Sequence, residues 1–401
     1  MPEGLEADGS PAAASRAGQR RSLAVLCAGI FSAMSIWFSA SAVLAAIAED
    51  WAITPTQGSF LTSMVNVGFC LGCLASAASG LPDRVPCSSL ICVGSLGAAG
   101  ANMGLLAVSG FYGALTCRFL VGVFLALVYP PGVKLLSTWF PPQERGFANG
   151  VLFSAFCLGS AFPQLLSGLI SERSWRPIVL GISVTAAASG VLVRKSVRVG
   201  PHAFPGAGAT LNAARCACIL RNPQVMLTIL AYCGHQWELF CVWAWAATFM
   251  RTTWQLSAAS APLAAFTVIA MGGPGSWCGG FLGDRFGRER VAALSLACSG
   301  CCIATLGTLA HEGPLFVRMS IFLLWGLTAL SDSPQFSALV TTHADQRYVG
   351  TAVTLQLLCG YLITVLALWV VPRVAEEVSW RWSFFSLAAG PAVGLLALLP
   401  L

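Results

Sequence analysis

Apolar residues along this chain come in long unbroken runs, set apart by short stretches of charge, proline or glycine. Such runs fall at about 23–48, 57–80, 88–108, 111–138, 147–170 and 175–193. A basic, proline- and glycine-containing stretch at 194–222 follows, and then six more runs at about 223–250, 258–282, 291–310, 314–342, 350–371 and 380–399. A bilayer-spanning helix takes about 20 apolar residues. In lipid each backbone N–H and C=O has to be satisfied inside the segment, so runs of this length predict helices rather than strands. The pattern predicts an all-α membrane protein with twelve transmembrane helices in two bundles of six. A disordered tail (1–22), a first bundle (23–193), a connector (194–222) and a second bundle (223–401) divide the chain.

Composition supports the same class. The 401 residues are 56% hydrophobic and only 9% charged, with a mean hydropathy of +0.76, where soluble domains carry about a quarter of their residues as charges. Twelve spans leave no room for a soluble catalytic domain. The net charge of +6 arises from 22 Lys and Arg against 16 Asp and Glu, and its placement fits membrane orientation rather than nucleic-acid binding. Arg118 and Lys134 lie within spans; of the other twenty basic residues, only Arg173, Arg176, Arg251, Arg318, Arg373 and Arg381 fall on one side and fourteen on the other. Positive charge collects on the cytoplasmic face, so both termini are expected there, with the first helix a retained anchor in a plasma or inner membrane. The sixteen cysteines lie mostly singly in apolar runs and read as small buried hydrophobes. No metal site or cofactor is expected, and the chain is expected to work as a monomer.

The two halves resemble each other. Gln143-Glu144-Arg145 after the fourth run is echoed by Asp345-Gln346-Arg347 after the tenth, and Gly122 and Pro130 share their spacing with Gly326 and Pro334. The loop after the eighth run reads Gly280-Phe281-Leu282-Gly283-Asp284-Arg285-Phe286-Gly287-Arg288. It resembles the signature loop of the major facilitator superfamily, G-x-L-a-D-r-x-G-r. The first-half counterpart, Ser79 to Pro86, keeps Leu81, Asp83 and Arg84 but has Ser79 and Pro86 in place of glycines. Arg118, Gly122 and Ala126 resemble a second feature of that family, R-x-x-x-G-x-x-x-A. The resemblance covers nearly the whole chain after residue 22. It implies alternating access by two six-helix bundles about a midplane site, with Gly280, Asp284, Arg285, Gly287, Arg288, Asp83 and Arg84 forming a conformational gate through charge-assisted contacts with neighbouring helix ends. Trp139-Phe140, Gln143 to Gly146, Gly234 to Glu238 and Asp332 to Ser337 are similar to the nitrate/nitrite porter and cyanate permease branch. The second and eighth runs lack the arginines that branch uses to clamp nitrate, which disfavours nitrate itself.

Polar residues inside the runs are the candidate pathway. An arginine such as Arg118 well inside a span needs a partner or a wet cavity, which makes it either a substrate-anion or relay group or a buried structural ion pair. His235 and Glu238 are three apart and share a helix face. Imidazole titrates near neutrality and burial disfavours a charged carboxylate, so the pair can take up and release a proton; the alternative is a packing hydrogen bond. Asp332 lies in Ser331-Asp332-Ser333-Pro334-Gln335, which interrupts an apolar helix with a proline, and reads as a coupling acid or the partner of Arg118. Asn66, Gln164, Gln335 and Gln356 are further cavity-wall candidates, Lys134 reads as snorkelling to the interface, and Trp243 and Trp245 read as packing or interfacial.

The expected function is secondary transport of a small polar or anionic solute, coupled to protons. Symport and antiport fit the sequence equally. An efflux pump for lipophilic compounds and a non-transporting receptor of the same fold are the alternatives. An enzyme is not expected, because no His/Glu metal motif or nucleophile constellation is present.

Overall fold

A computed structural model of the chain describes residues 11–141, 144–170, 175–202, 219–309, 312–345 and 349–401. Among these residues the ordered structure is helical. In chain order, the rods of the first half are α1 (Pro11–Ser35, continued by Ser39–Ala42 and Leu44–Trp51), α2 (Pro55–Ser79), α3 (Cys87–Met103), α4 (Phe111–Leu125 and Tyr129–Ser137), α5 (Arg145–Leu169) and α6 (Trp175–Ser196). The second half supplies α7 (Pro223–Thr253), α8 (Ser260–Ala270 and Gly272–Phe286), α9 (Arg288–Thr308), α10 (Leu315–Thr328 and Ser333–His343), α11 (Val349–Glu377) and α12 (Trp380–Leu387 and Ala389–Leu398). Ten of the rods are long and apolar enough to cross a membrane. The other two, α1 and α8, are interrupted: α1 turns irregular at Ile36–Phe38, and α8 breaks at Met271.

Local chemistry sets several boundaries. Thr54 and Gln57 form a reciprocal capping box ahead of α2, satisfying two of the amides a helix start leaves bare. Asn222 accepts from the amides of Gln224 and Val225 to open α7. Gly287, at φ 96°, ends α8 in a conformation that glycine tolerates freely.

Helices α1–α6 pack among themselves, as do α7–α12, and the two sets meet chiefly along α2 with α11 and α5 with α8. Apolar surface gives helices no driving force to associate in lipid, so close backbone approach does the packing. A Cβ on Gly122 of α4 would lie 2.0 Å from the Val65 carbonyl oxygen of α2, and one on Gly326 of α10 would lie 2.1 Å from that of Val268 in α8. Pro130 and Pro334 each sit in the first turn of the second piece of α4 and α10. The Gly and Pro spacing shared by the halves therefore marks the same helix-on-helix contact and the same break. The echoed Gln143 and Gln346–Arg347, and most of the 203–222 part of the connector, lie outside the described residues, as do residues 1–10 of the tail.

Candidate functional site

A cavity of about 560 Å³ lies between the two sets of helices, within the range of about 300–1,000 Å³ usual for small-molecule sites. Its lining comes from α4 (Tyr129), α5 (Asn149, Phe153, Phe156), α7, α8 (Ser276, Trp277, Gly280), α10 (Ser333, Gln335, Ser337, Thr341) and α11 (Tyr361). Phe147, Asp284 and Arg288 lie at its mouth, where α5 begins and α8 passes to α9.

The other end is sealed by aromatic rings contributed by both halves. Trp37 lies 5.7 Å from Phe240 and 5.8 Å from Tyr361, Phe38 5.8 Å from Trp243, and Phe69 4.8 Å from Tyr361, all between ring centroids. Beyond the rings, Trp369 Nε1 of α11 donates to Ser63 Oγ of α2 at 2.7 Å. Ser154 Oγ of α5 donates to the Gly273 carbonyl of α8 at 3.2 Å.

Helix α7 turns one face to the cavity: Tyr232, His235, Gln236, Leu239, Phe240 and Trp243. At about 100° per residue, His235 stands at one edge of that face and Glu238 about 60° further round. This separates the expected proton pair. His235 Nδ1 instead lies 2.9 Å from Asp332 Oδ1, a close contact out of hydrogen-bond alignment, since neither atom has a hydrogen-bonded partner. His235 Nε2 and Ser333 Oγ are 2.9 Å apart and share a proton in a direction set by the tautomer. Asp332 is fully buried behind the imidazole, at the break in α10 that Pro334 follows. Glu238 is buried too and does not line the cavity: its Oε1 accepts from Ser299 Oγ of α9 at 2.6 Å and its Oε2 from Trp325 Nε1 of α10 at 3.1 Å.

Arg118 does not pair with Asp332. The guanidinium is fully buried among α1, α3 and α4, where Nη1 donates to the Ile36 carbonyl at 3.2 Å and to Asn102 Oδ1 at 3.2 Å. Nη2 donates to the Trp37 carbonyl. The irregular turn in α1 leaves the Trp37 carbonyl to the guanidinium, while the Ile36 carbonyl also accepts from the Ser39 amide and hydroxyl, so backbone acceptors stand where a carboxylate was expected. Asn102 passes the network on to Ser183 of α6 at 3.0 Å.

Gln335 lines the cavity and donates to the Gly279 carbonyl at 2.8 Å. Asn66 and Gln356 are buried outside the lining. In the gate loop, Asp284 bonds Arg288 one turn on at 2.9 Å rather than a neighbouring helix end. Arg285 lies over the Phe286 ring and Gly280 faces open space. Arg84 is exposed, and the side chain of Asp83 lies outside the described residues. Lys134, read as snorkelling, reaches the first-half loop and donates to the Pro82 carbonyl at 2.8 Å. Sequence reading missed Tyr129, Tyr232, Tyr361 and Asn149 as lining. The period of α7 carried the signal for Tyr232 once His235 had been placed. Trp243, read as packing or interfacial, both packs in the seal and lines the cavity.

The sequence profile of the Major Facilitator Superfamily matches residues 25–368. The hexuronate transporter of Bacillus subtilis (strain 168) is 24% identical over 329 residues, 76% of this chain and 76% of the relative. The hexuronate transporter of Escherichia coli (strain K12) is 26% identical over 323 residues, 74% of each. Among solved structures, a bacterial homologue of the human lysosomal transporter Spinster, inward-facing and unoccupied, matches with a TM-score of 0.74 at 14% identity, over 95% of this chain and 97% of that one. With its profile match, its apolar helices and these relatives, the chain belongs to the major facilitator superfamily and is an integral, multi-pass membrane transporter, not an enzyme.

Proposed function

We propose that the protein carries a small organic anion across the membrane by alternating access, together with a proton. The observation that carries this reading is a cavity between the halves, backed on one side by packed aromatic rings of both halves, with His235 in its wall and Asp332 against the imidazole. The bodies that rock are 23–193 and 223–401, joined by the 194–222 connector. The open end lies where the arginine distribution places the cytoplasm, with both termini on that side.

The balance of charge supplies the coupling. Among the described residues the cavity lining has no lysine, and its one arginine, Arg288, is paired with Asp284. When the pair holds no extra proton, the Asp332 carboxylate puts a net negative charge beside the cavity, which repels an anionic solute. A proton on the His235–Asp332 pair cancels that charge, so proton and anion each favour the other's binding by the same factor. Glu238, outside the lining, holds α7 against α9 and α10. The relatives named for hexuronate support a sugar acid as the solute, carried by a monomer in a plasma or inner membrane.

The test is uptake into proteoliposomes by the purified protein. A panel of sugar acids, simple carboxylates, inorganic anions and lipophilic cations would be offered, with an internal pH dye. Saturable flux of carboxylates accompanied by proton entry is expected. Aromatic residues in the lining, among them Phe153, Phe156 and Trp277, favour a second reading, an efflux pump, and flux of many unrelated lipophiles would establish it. Binding without flux would mark a receptor.

A further inference from the structure

Three polar side chains on the closed side of the aromatic seal have nothing to bond. Asn66 of α2 is 0% exposed, and Ser160 and Gln164 of α5 are each 1% exposed. Neither amide atom of Asn66 or Gln164, nor Ser160 Oγ, has a hydrogen-bond partner. The indole N–H groups of Trp37 and Trp243, in the rings that pack on Phe69 and Phe156, are also without a partner. Buried side-chain polar atoms are satisfied in the great majority of cases, so two carboxamides with neither atom bonded and a bare hydroxyl need a reason.

Their positions supply one. Ser160 and Gln164 lie one and two turns beyond Phe156 on one face of α5, and Phe156 packs 6.3 Å from Trp243. Asn66 lies one turn before Phe69 on α2, and Phe69 packs 4.8 Å from both Trp37 and Tyr361. In each helix the polar residue stands further from the cavity mouth than its ring. Rocking that opens the opposite end has to part these rings, and the groups just beyond them then become the wall.

We infer that Asn66, Ser160 and Gln164 form a latent subsite, shut in this conformation and opened in the opposite one, that takes the hydroxyl groups of a polyhydroxylated carboxylate. This rests on the carrier reading above. The set carries no charge and so has nothing to hold a carboxylate group. A carboxamide both donates and accepts, as a hydroxyl does, so two carboxamides and a hydroxyl suit several hydroxyls in a row. The carboxylate end is left to the side of His235.

The test uses glucuronate uptake in proteoliposomes, competed by unlabelled glucuronate or by hexanoate, which has a carboxylate and no hydroxyls. Wild type is compared with Asn66→Leu, Gln164→Leu and Ser160→Ala, and thermal midpoints are recorded in detergent. Each Leu variant is expected to weaken apparent glucuronate affinity about tenfold, as for a lost hydrogen bond that strands its partner. Its preference for glucuronate over hexanoate should fall, while the thermal midpoint holds or rises. Unchanged affinity and preference would overturn the inference, as would equal losses for both competitors with a lowered midpoint, which mark a packing role. Wild type that carries carboxylates without preferring hydroxylated ones overturns the subsite and leaves the carrier standing; absence of flux for every anion overturns both.

Discussion

In the first half the buried charge is Arg118, held by two carbonyls of a broken turn in α1 and by Asn102 of α3. In the second half the buried acids described are Glu238, held by Ser299 and Trp325, and Asp332, set against His235 in the cavity wall. The scaffolds beneath are alike: Gly122 and Gly326 make the same close approach, and Pro130 and Pro334 restart the same helix. A break in a membrane helix frees backbone groups and brings in polar residues. In α1 the carbonyls at the break are bonded inside the half, by Arg118 and Ser39, whereas the break in α10 delivers Asp332 and Ser333 to the imidazole beside the cavity. Repeated packing thus supports unequal chemistry, with the first half fixed by its charge and the second carrying the titratable pair.

The contrast between the halves is most exposed to test at the buried charges. Arg118→Leu removes the charged donor that the Ile36 carbonyl and Asn102 share with Ser39 and strands the Trp37 carbonyl, where hydrogen bonds to a charged group contribute about 1.5–3 kcal/mol and a bare acceptor costs about 1–3 kcal/mol. It should lower the thermal midpoint in detergent more than any substitution at Glu238, Gly122, Gly326 or Asp284. Glu238→Gln retains hydrogen-bonding atoms toward Ser299 and Trp325 and should cost less; a larger loss at Glu238 would reverse the comparison. Gly122→Ala and Gly326→Ala force a methyl group against a backbone carbonyl in equivalent places. Overpacking of this kind costs about 1–3 kcal/mol, so similar drops in midpoint are expected, and tolerance at only one of the two would deny the shared scaffold. Smallest is Asp284→Asn. Its pair with Arg288 is exposed, and such pairs contribute about 0–1 kcal/mol, so the midpoint should barely move.

The spans were legible in the sequence because a run of about 20 apolar residues is a local signal that needs no tertiary knowledge. The Gly280–Arg288 pattern was legible as a local run of residues, but the expected loop is the end of α8, with only Gly287 between it and α9. Pairing was not legible. His235 meets Asp332 and Ser333, the latter 98 positions away, whereas the i, i+3 rule pointed to Glu238. That rule places two residues on one side of a helix but does not say where the edge of the cavity falls, and in α7 it falls between them. The partner of Arg118 was hidden more deeply. Residues 35–39 of α1 read Ser-Ile-Trp-Phe-Ser, with no proline or glycine to announce a turn that presents two carbonyls to the guanidinium.

The central claim is that the His235–Asp332 pair carries the coupled proton, and Asp332→Asn in proteoliposomes tests it most directly. Two rates are compared with wild type: solute exchange with no proton gradient, and accumulation driven by an inward proton gradient. The account predicts that exchange persists, because the cavity and its lining are retained, while gradient-driven accumulation is lost along with proton entry. Accumulation and proton entry at the wild-type level in Asp332→Asn would contradict it.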